Sequence, residues 1–170
     1  MRYSDICAGP YGLLYCAPLN ASSVFVRETV SIPLAMPGVF EFIQGAGEGS
    51  IKYSTICGGL DGLLYCSPFN ASSVLVMDPC ARTLRFIEGA EEGGLKYFGI
   101  CAGPDGMLYC AATAASSVLV IDPRTQTLSF IEGAVGSGLK WSGICARPHG
   151  RLYKSAHVNL VIFLGLVHEI

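Results

Sequence analysis

The chain has 170 residues, of which 51% are hydrophobic and 14% charged; this supports one domain with a substantial core and excludes intrinsic disorder. The net charge is −2 and no basic run occurs, which argues against a nucleic-acid partner. Twenty-one glycines and nine prolines, set among β-branched and aromatic residues, favour strands joined by tight turns.

The N-terminal stretch MRYSDICAGP lacks the charged start and apolar core of a signal peptide. At the other end, the apolar run Val158 to Val167 is interrupted by Asn159 and is too short to span a bilayer. The expectation is a cytoplasmic protein without a membrane segment, its eight cysteines kept as thiols. An upstream signal peptide missing from the sequence would make it extracellular. No C-x-x-C pair suggests zinc.

The elements repeat. Cys57, Cys101 and Cys145 stand 44 residues apart, whereas Cys7 precedes Cys57 by 50, with six extra residues within Arg27–Gly38. Residues 53–96 and 97–140 match at 27 of 44 positions without a gap, which indicates tandem duplication. Within a unit, Ile100–Gly103 and Met107–Cys110 flank a Pro-Asp-Gly turn and read as a hairpin. Ser117–Asp122 is a continuous apolar strand ended by Asp-Pro, and Thr127–Gly133 is a fourth strand. Four short strands per 44 residues is the period of a propeller blade. Continuous rather than alternating hydrophobicity fits sheets that are covered on both faces.

In the first hairpin, the three-residue turn favoured by Pro-Tyr-Gly sets Tyr15 opposite Cys7 and sends Cys16 to the other side. A two-residue turn would instead oppose Cys7 and Cys16 and permit a disulfide. We favour the first geometry, with the cysteines as small hydrophobes between blades rather than a disulfide or a thiol ring of Cys7, Cys57, Cys101 and Cys145.

The run LYCSPFNASSVLVMDP and its near-copies from Leu14 and Leu108, closed by TLxFIEG and followed by the PDG turn, resemble the YVTN-type β-propeller repeat, related to NHL and WD40-like blades. The resemblance covers Arg2 to about Tyr153. It implies an all-β propeller with blades at about 2–51, 52–95, 96–139 and an incomplete 140–170, the last lacking the NASS turn and a fourth strand. We expect an open arc of roughly three and a half blades; a strained four-bladed ring is the alternative. An open arc would leave a sheet face exposed, so self-association to complete the ring or cover the edges is expected.

The loops between blades bring a cation beside an aromatic residue. These pairs are Arg2–Tyr3, Lys52–Tyr53, Lys96–Tyr97 and Lys140–Trp141. In a propeller, the loops before the inner strands share one face, so the pairs could form an electropositive rim for an anionic ligand or a protein carboxylate. The structural alternative pairs Lys96 with Glu88 and Lys140 with Glu132, each eight residues earlier, while Gln44 stands at that position before Lys52. Asn20 and Asn70 in the NASS turns are expected to bond their own backbone, and Ala114 replaces them in the third unit.

Other candidates fail on detail. In GAVGSGLK, Leu139 stands where a phosphate loop needs lysine. His149, His157 and His168 sit in the degenerate last unit with no repeated acid or nucleophile. Asp61, Asp78, Asp105 and Asp122 are accounted for by turns, so no metal or cofactor is expected. Equal contacts around a ring suit binding better than catalysis, so the expected function is a non-catalytic scaffold or ligand-binding module. A propeller-class enzyme resembling lactonases or quinoprotein dehydrogenases is the alternative, as is an incomplete fragment of a larger propeller.

Overall fold

A computed structural model describes residues 1–28, 40–133, 141–146, 152–156 and 161–164. The part of the six-residue insertion beyond Glu28 lies outside them. So do Lys140, His149, His157, His168 and the loop resembling GAVGSGLK from residue 134 onward.

The first sheet holds β1 (Tyr3–Ala8), β2 (Leu13–Pro18), β3 (Ser23–Glu28) and β4 (Phe40–Gln44). The second holds β5 (Tyr53–Gly58), β6 (Leu64–Pro68), β7 (Ser73–Asp78) and β8 (Thr83–Glu88). The third holds β9 (Tyr97–Ala102), β10 (Leu108–Ala112), β11 (Ser117–Asp122) and β12 (Thr127–Glu132). The last has three strands among the described residues, β13 (Trp141–Ala146), β14 (Leu152–Ala156) and β15 (Val161–Leu164). Each sheet is an antiparallel meander in chain order.

Neighbouring sheets meet through their first strands, β1 against β5, β5 against β9 and β9 against β13. The outer strands diverge. Three apolar clusters fill the spaces. Tyr15, Val24, Val26 and Ile43 of the first sheet pack on Ile56, Cys66 and Leu75 of the second. Tyr65, Val74 and Val76 then meet Cys110 and Leu119 of the third. Tyr109, Val118 and Val120 face Ile144 of the fourth. Every residue of β6 and β10 is buried, so the continuous apolar runs do mark strands covered on both faces.

The hairpin register is the one the turn residues favour. Cys7 lies opposite Tyr15 and Ile6 opposite Cys16, which puts Cys7 and Cys16 on opposite faces of the sheet. In the second and third hairpins the turn closes through Gly62 and Gly106, at φ 82° and 84°, where a side chain would be strained. The aspartate before each glycine has a second task. Asp61 accepts from Tyr65 Oη at 2.6 Å and from Leu63 N–H at 3.2 Å. Asp105 repeats this with Tyr109 at 2.5 Å and Met107 N–H at 3.1 Å. In the first hairpin Tyr11 occupies the aspartate position, and Tyr15 Oη is buried without a hydrogen-bond partner. The spacing Asp-x-x-x-Tyr was the available signal for this pairing.

Candidate functional site

The loop face is built by the segments that lead into β5 and β9 and by the NASS turns that follow β2 and β6. Lys52 and Lys96 sit at its centre, yet their side chains turn inward. They are only 5% and 2% exposed. Lys52 Nζ donates to the carbonyl of Ala21 at 2.7 Å. Lys96 Nζ donates to Ala71 O at 2.7 Å and Gly93 O at 3.0 Å. Each lysine opens one blade and bonds the turn of the blade before it. Its own carbonyl then accepts from its own blade's turn: Lys52 O from Phe69 N–H at 2.8 Å and Lys96 O from Thr113 N–H at 2.6 Å.

Burial pushes both ammonium groups below the ordinary lysine range. Nearby acids oppose this, Glu48 for Lys52 and Glu92 with Glu91 for Lys96. The acids that influence Lys96 therefore come from its own loop rather than from Glu88.

The aromatic members of the pairs are core residues. Tyr53 and Tyr97 are 2% and 0% exposed, and burial raises both phenols, Tyr53 to about 12. Tyr3 is half-buried with its ring 5.7 Å from that of Phe25. Arg2 is exposed, and its carbonyl accepts from Asn20 N–H at 3.0 Å. Trp141 opens β13, and Lys140 lies outside the described residues.

The asparagines differ from the expectation that they bond their own turns. Asn20 Nδ2 donates to Met1 O at 2.7 Å, and its Oδ1 accepts from Ile51 N–H at 2.6 Å. Asn70 repeats this with Ser50 O at 3.2 Å and Leu95 N–H at 2.9 Å. One amide thus ties together the loop that enters its own blade and the loop that enters the next. The residues it holds, Ile51 and Leu95, carry φ values of 51° and 57°, a costly region for branched side chains. Ala114 offers no amide for the corresponding task at the next junction.

A cleft of about 280 Å³ opens beside this junction, lined by Glu48, Ser50, Lys52, Asn70, Ser72 and Phe86 among others. With the lysines turned inward, the charges the two loops present to solvent include Glu48 and Glu92. Ser117 Oγ donates to Glu91 at 2.5 Å, which leaves that carboxylate partly engaged. A larger groove of about 620 Å³ lies on the outer rim between β4 and the turn into β8, crossed by an ion pair between Arg82 and Glu41. Its charged side chains are already paired, so the loop-face cleft is the better ligand site. Among the described residues, no group of three or more His, Cys, Asp or Glu side chains is placed to hold a metal.

Sheets stacked in chain order around shared inner strands define a β-propeller fold, here as an open arc. No protein-family model and no curated protein matches the chain, so a resemblance to the YVTN-type repeat is carried by the motif alone. Solved structures do match. A streptogramin B lyase superposes with TM-score 0.76 at 16% identity, covering 98% of this chain and 55% of the lyase. The WD40 β-propeller domain of Doa1 gives 0.68 at 14%, covering 96% and 51%. An auxiliary nutrient-binding protein from Bacteroides thetaiotaomicron gives 0.60 at 17%, covering 91% and 36%. The chain spans about half the length of the first two. These likenesses show the fold. No helix among the described residues is long and apolar enough to cross a membrane.

Proposed function

We propose that the protein is a non-catalytic propeller scaffold that binds a partner through its loop face. The observation that carries this reading is the repetition of one set of contacts at two successive junctions. Lys52 and Lys96 both bond the preceding turn, and Asn20 and Asn70 both bridge the flanking loops. Equal junctions present equal loops, which suits an extended contact better than convergence on one reacting atom.

The Lys-aromatic pairs then build the rim, and the loops they hold supply its outer surface. Glu48 and Glu92 favour a partner with basic side chains. A small anionic ligand at Lys52 and Lys96 is the second reading, and it requires the ammonium groups to exchange their carbonyl partners for the ligand.

Titrating isotope-labelled protein with an arginine-rich peptide, and separately with citrate, distinguishes the readings. The peptide is expected to shift the amides of residues 46–50 and 91–94 in a salt-sensitive way, and Glu48→Gln with Glu92→Gln should weaken it. Citrate binding lost in Lys96→Met would replace this with the anionic reading. If neither probe moves those amides, the loop face is not the binding surface. The lyase neighbour favours a catalytic alternative; a stoichiometric metal retained by the purified protein, together with turnover, would establish it.

A further inference from the structure

The first sheet carries a row of side chains whose middle members are fully covered in the next two sheets. Ile6, Cys16, Phe25 and Phe42 are register partners across its four strands. Their counterparts are Ile56, Cys66, Leu75 and Phe86 in the second sheet and Ile100, Cys110, Leu119 and Phe130 in the third. Cys66, Leu75, Cys110 and Leu119 have no exposed surface, and Ile56 is 6% exposed. Ile6, by contrast, is 53% exposed, and Phe42 at 54% is more open than its outer-strand counterparts Phe86 at 41% and Phe130 at 37%. What covers this row elsewhere is always the opposite face of a preceding sheet. Tyr15, Val24, Val26 and Ile43 do so for the second sheet, with Cys7 packed against the same cluster as Cys66.

The fourth sheet has the register positions equivalent to that covering row. Its register places Cys145, Tyr153 and Phe163 in the row equivalent to Cys7, Tyr15 and Val26. Cys145 is exposed, whereas Cys7 and Cys57 are half-buried. Four sheets also cover only 55% of the lyase with the same fold, so a second set of similar size matches the remainder of a ring.

We propose that the row Ile6–Cys16–Phe25–Phe42 docks the fourth sheet of a second copy of this chain, and that two copies close one ring through two identical contacts. The contact repeats the junction already made three times within the chain, so it asks for no new type of surface. A head-to-tail contact made twice about a twofold axis closes without leaving a free end. It concerns the sheet faces and is independent of what the loop face binds.

The arrangement sets Cys145 of one copy against Cys16 of the other, as Cys7 sits with Cys66. In a Cys80→Ser background, which removes a further exposed thiol, a short bismaleimide should link Cys16 to Cys145 between copies. Light scattering should give twice the chain mass. Ile6→Glu, at an exposed position that the isolated chain tolerates, should raise the dimer dissociation constant about a hundredfold, about tenfold for each of two contacts. Its circular dichroism should stay unchanged. A concentration-independent monomer would overturn the proposal, as would a dimer indifferent to Ile6→Glu. Cross-links that join Cys16 to Cys16 would replace it with a face-to-face pairing.

Discussion

Replacing Asn70 with alanine removes one side chain that serves two loops. The amide loses its donation to Ser50 O at 3.2 Å and its acceptance from Leu95 N–H at 2.9 Å. Hydrogen bonds at exposed positions contribute at the low end of about 0.5–1.5 kcal/mol each. Leu95, at φ 57°, also loses the partner that holds it in a region costing about 1–2 kcal/mol. The expected destabilisation is therefore about 1–2 kcal/mol, a fall in Tm of about 3–6 °C for a chain of this size. Urea unfolding at constant slope measures the global term. Hydrogen exchange at the Leu95 amide measures the local one and should accelerate about tenfold or more. Leu95→Gly in the same background should recover part of the loss, because glycine adopts that backbone freely. If Asn70→Ala changed stability by less than about 0.3 kcal/mol and left Leu95 exchange unaltered, the amide would decorate the junction rather than hold it.

Three further outcomes follow from the same geometry. Lys96→Met should destabilise by about 1–3 kcal/mol, because two charge-assisted bonds outweigh the relief of burying no charge. Lys52→Met should cost less, since its ammonium bonds one carbonyl rather than two; a neutral Lys96→Met would refute the clip. Gly99→Ala would place a Cβ 3.0 Å from Gly143 Cα and 3.2 Å from Ile144 N, backbone that would have to shift to admit it, and should cost about 1–3 kcal/mol. Faster exchange confined to β13 would be its mark, and unchanged exchange there would count against it. Alkali should also unfold the protein. The Tyr53 phenol is raised from 10.0 to about 12 by burial, so the unfolded chain releases that proton first as pH rises. Its contribution, complete below pH 10, is lost towards pH 12 and amounts to about 3 kcal/mol. Cys66 and Cys110, also raised by burial, start the decline from the ordinary thiol value of 9.0. Urea midpoints that stay flat to about pH 11 would contradict this, and Tyr53→Phe should reduce the slope.

The hairpin register was legible because it is local. Pro-Tyr-Gly fixes the turn, the turn fixes which residue faces Cys7, and no distant contact intervenes. The unbroken apolar runs of β7 and β11 were legible for a similar reason, since only a sheet covered twice tolerates them. The destinations of Lys96 and Asn70 were not. Lys96 bonds a carbonyl 25 residues away and Asn70 an amide 25 residues away, both across a blade boundary. Backbone groups give no residue-specific signal, so a pattern of side chains suggested a Glu88 partner where the true one is a peptide carbonyl. Side-chain types placed the cations on one face, but only tertiary packing decides whether an ammonium points outward.

The lysine and asparagine clips each connect a blade to its immediate neighbour and to nothing further away. An extra copy of residues 53–96 in frame would therefore arrive with both clips, Asn70 and Lys96 alike, whereas a copy of the unit with Ala114 would bring no asparagine clip. Lengthening such a chain disturbs no existing bond. The architecture accepts growth by copying, with the number of blades free to change before any surface has to be redesigned.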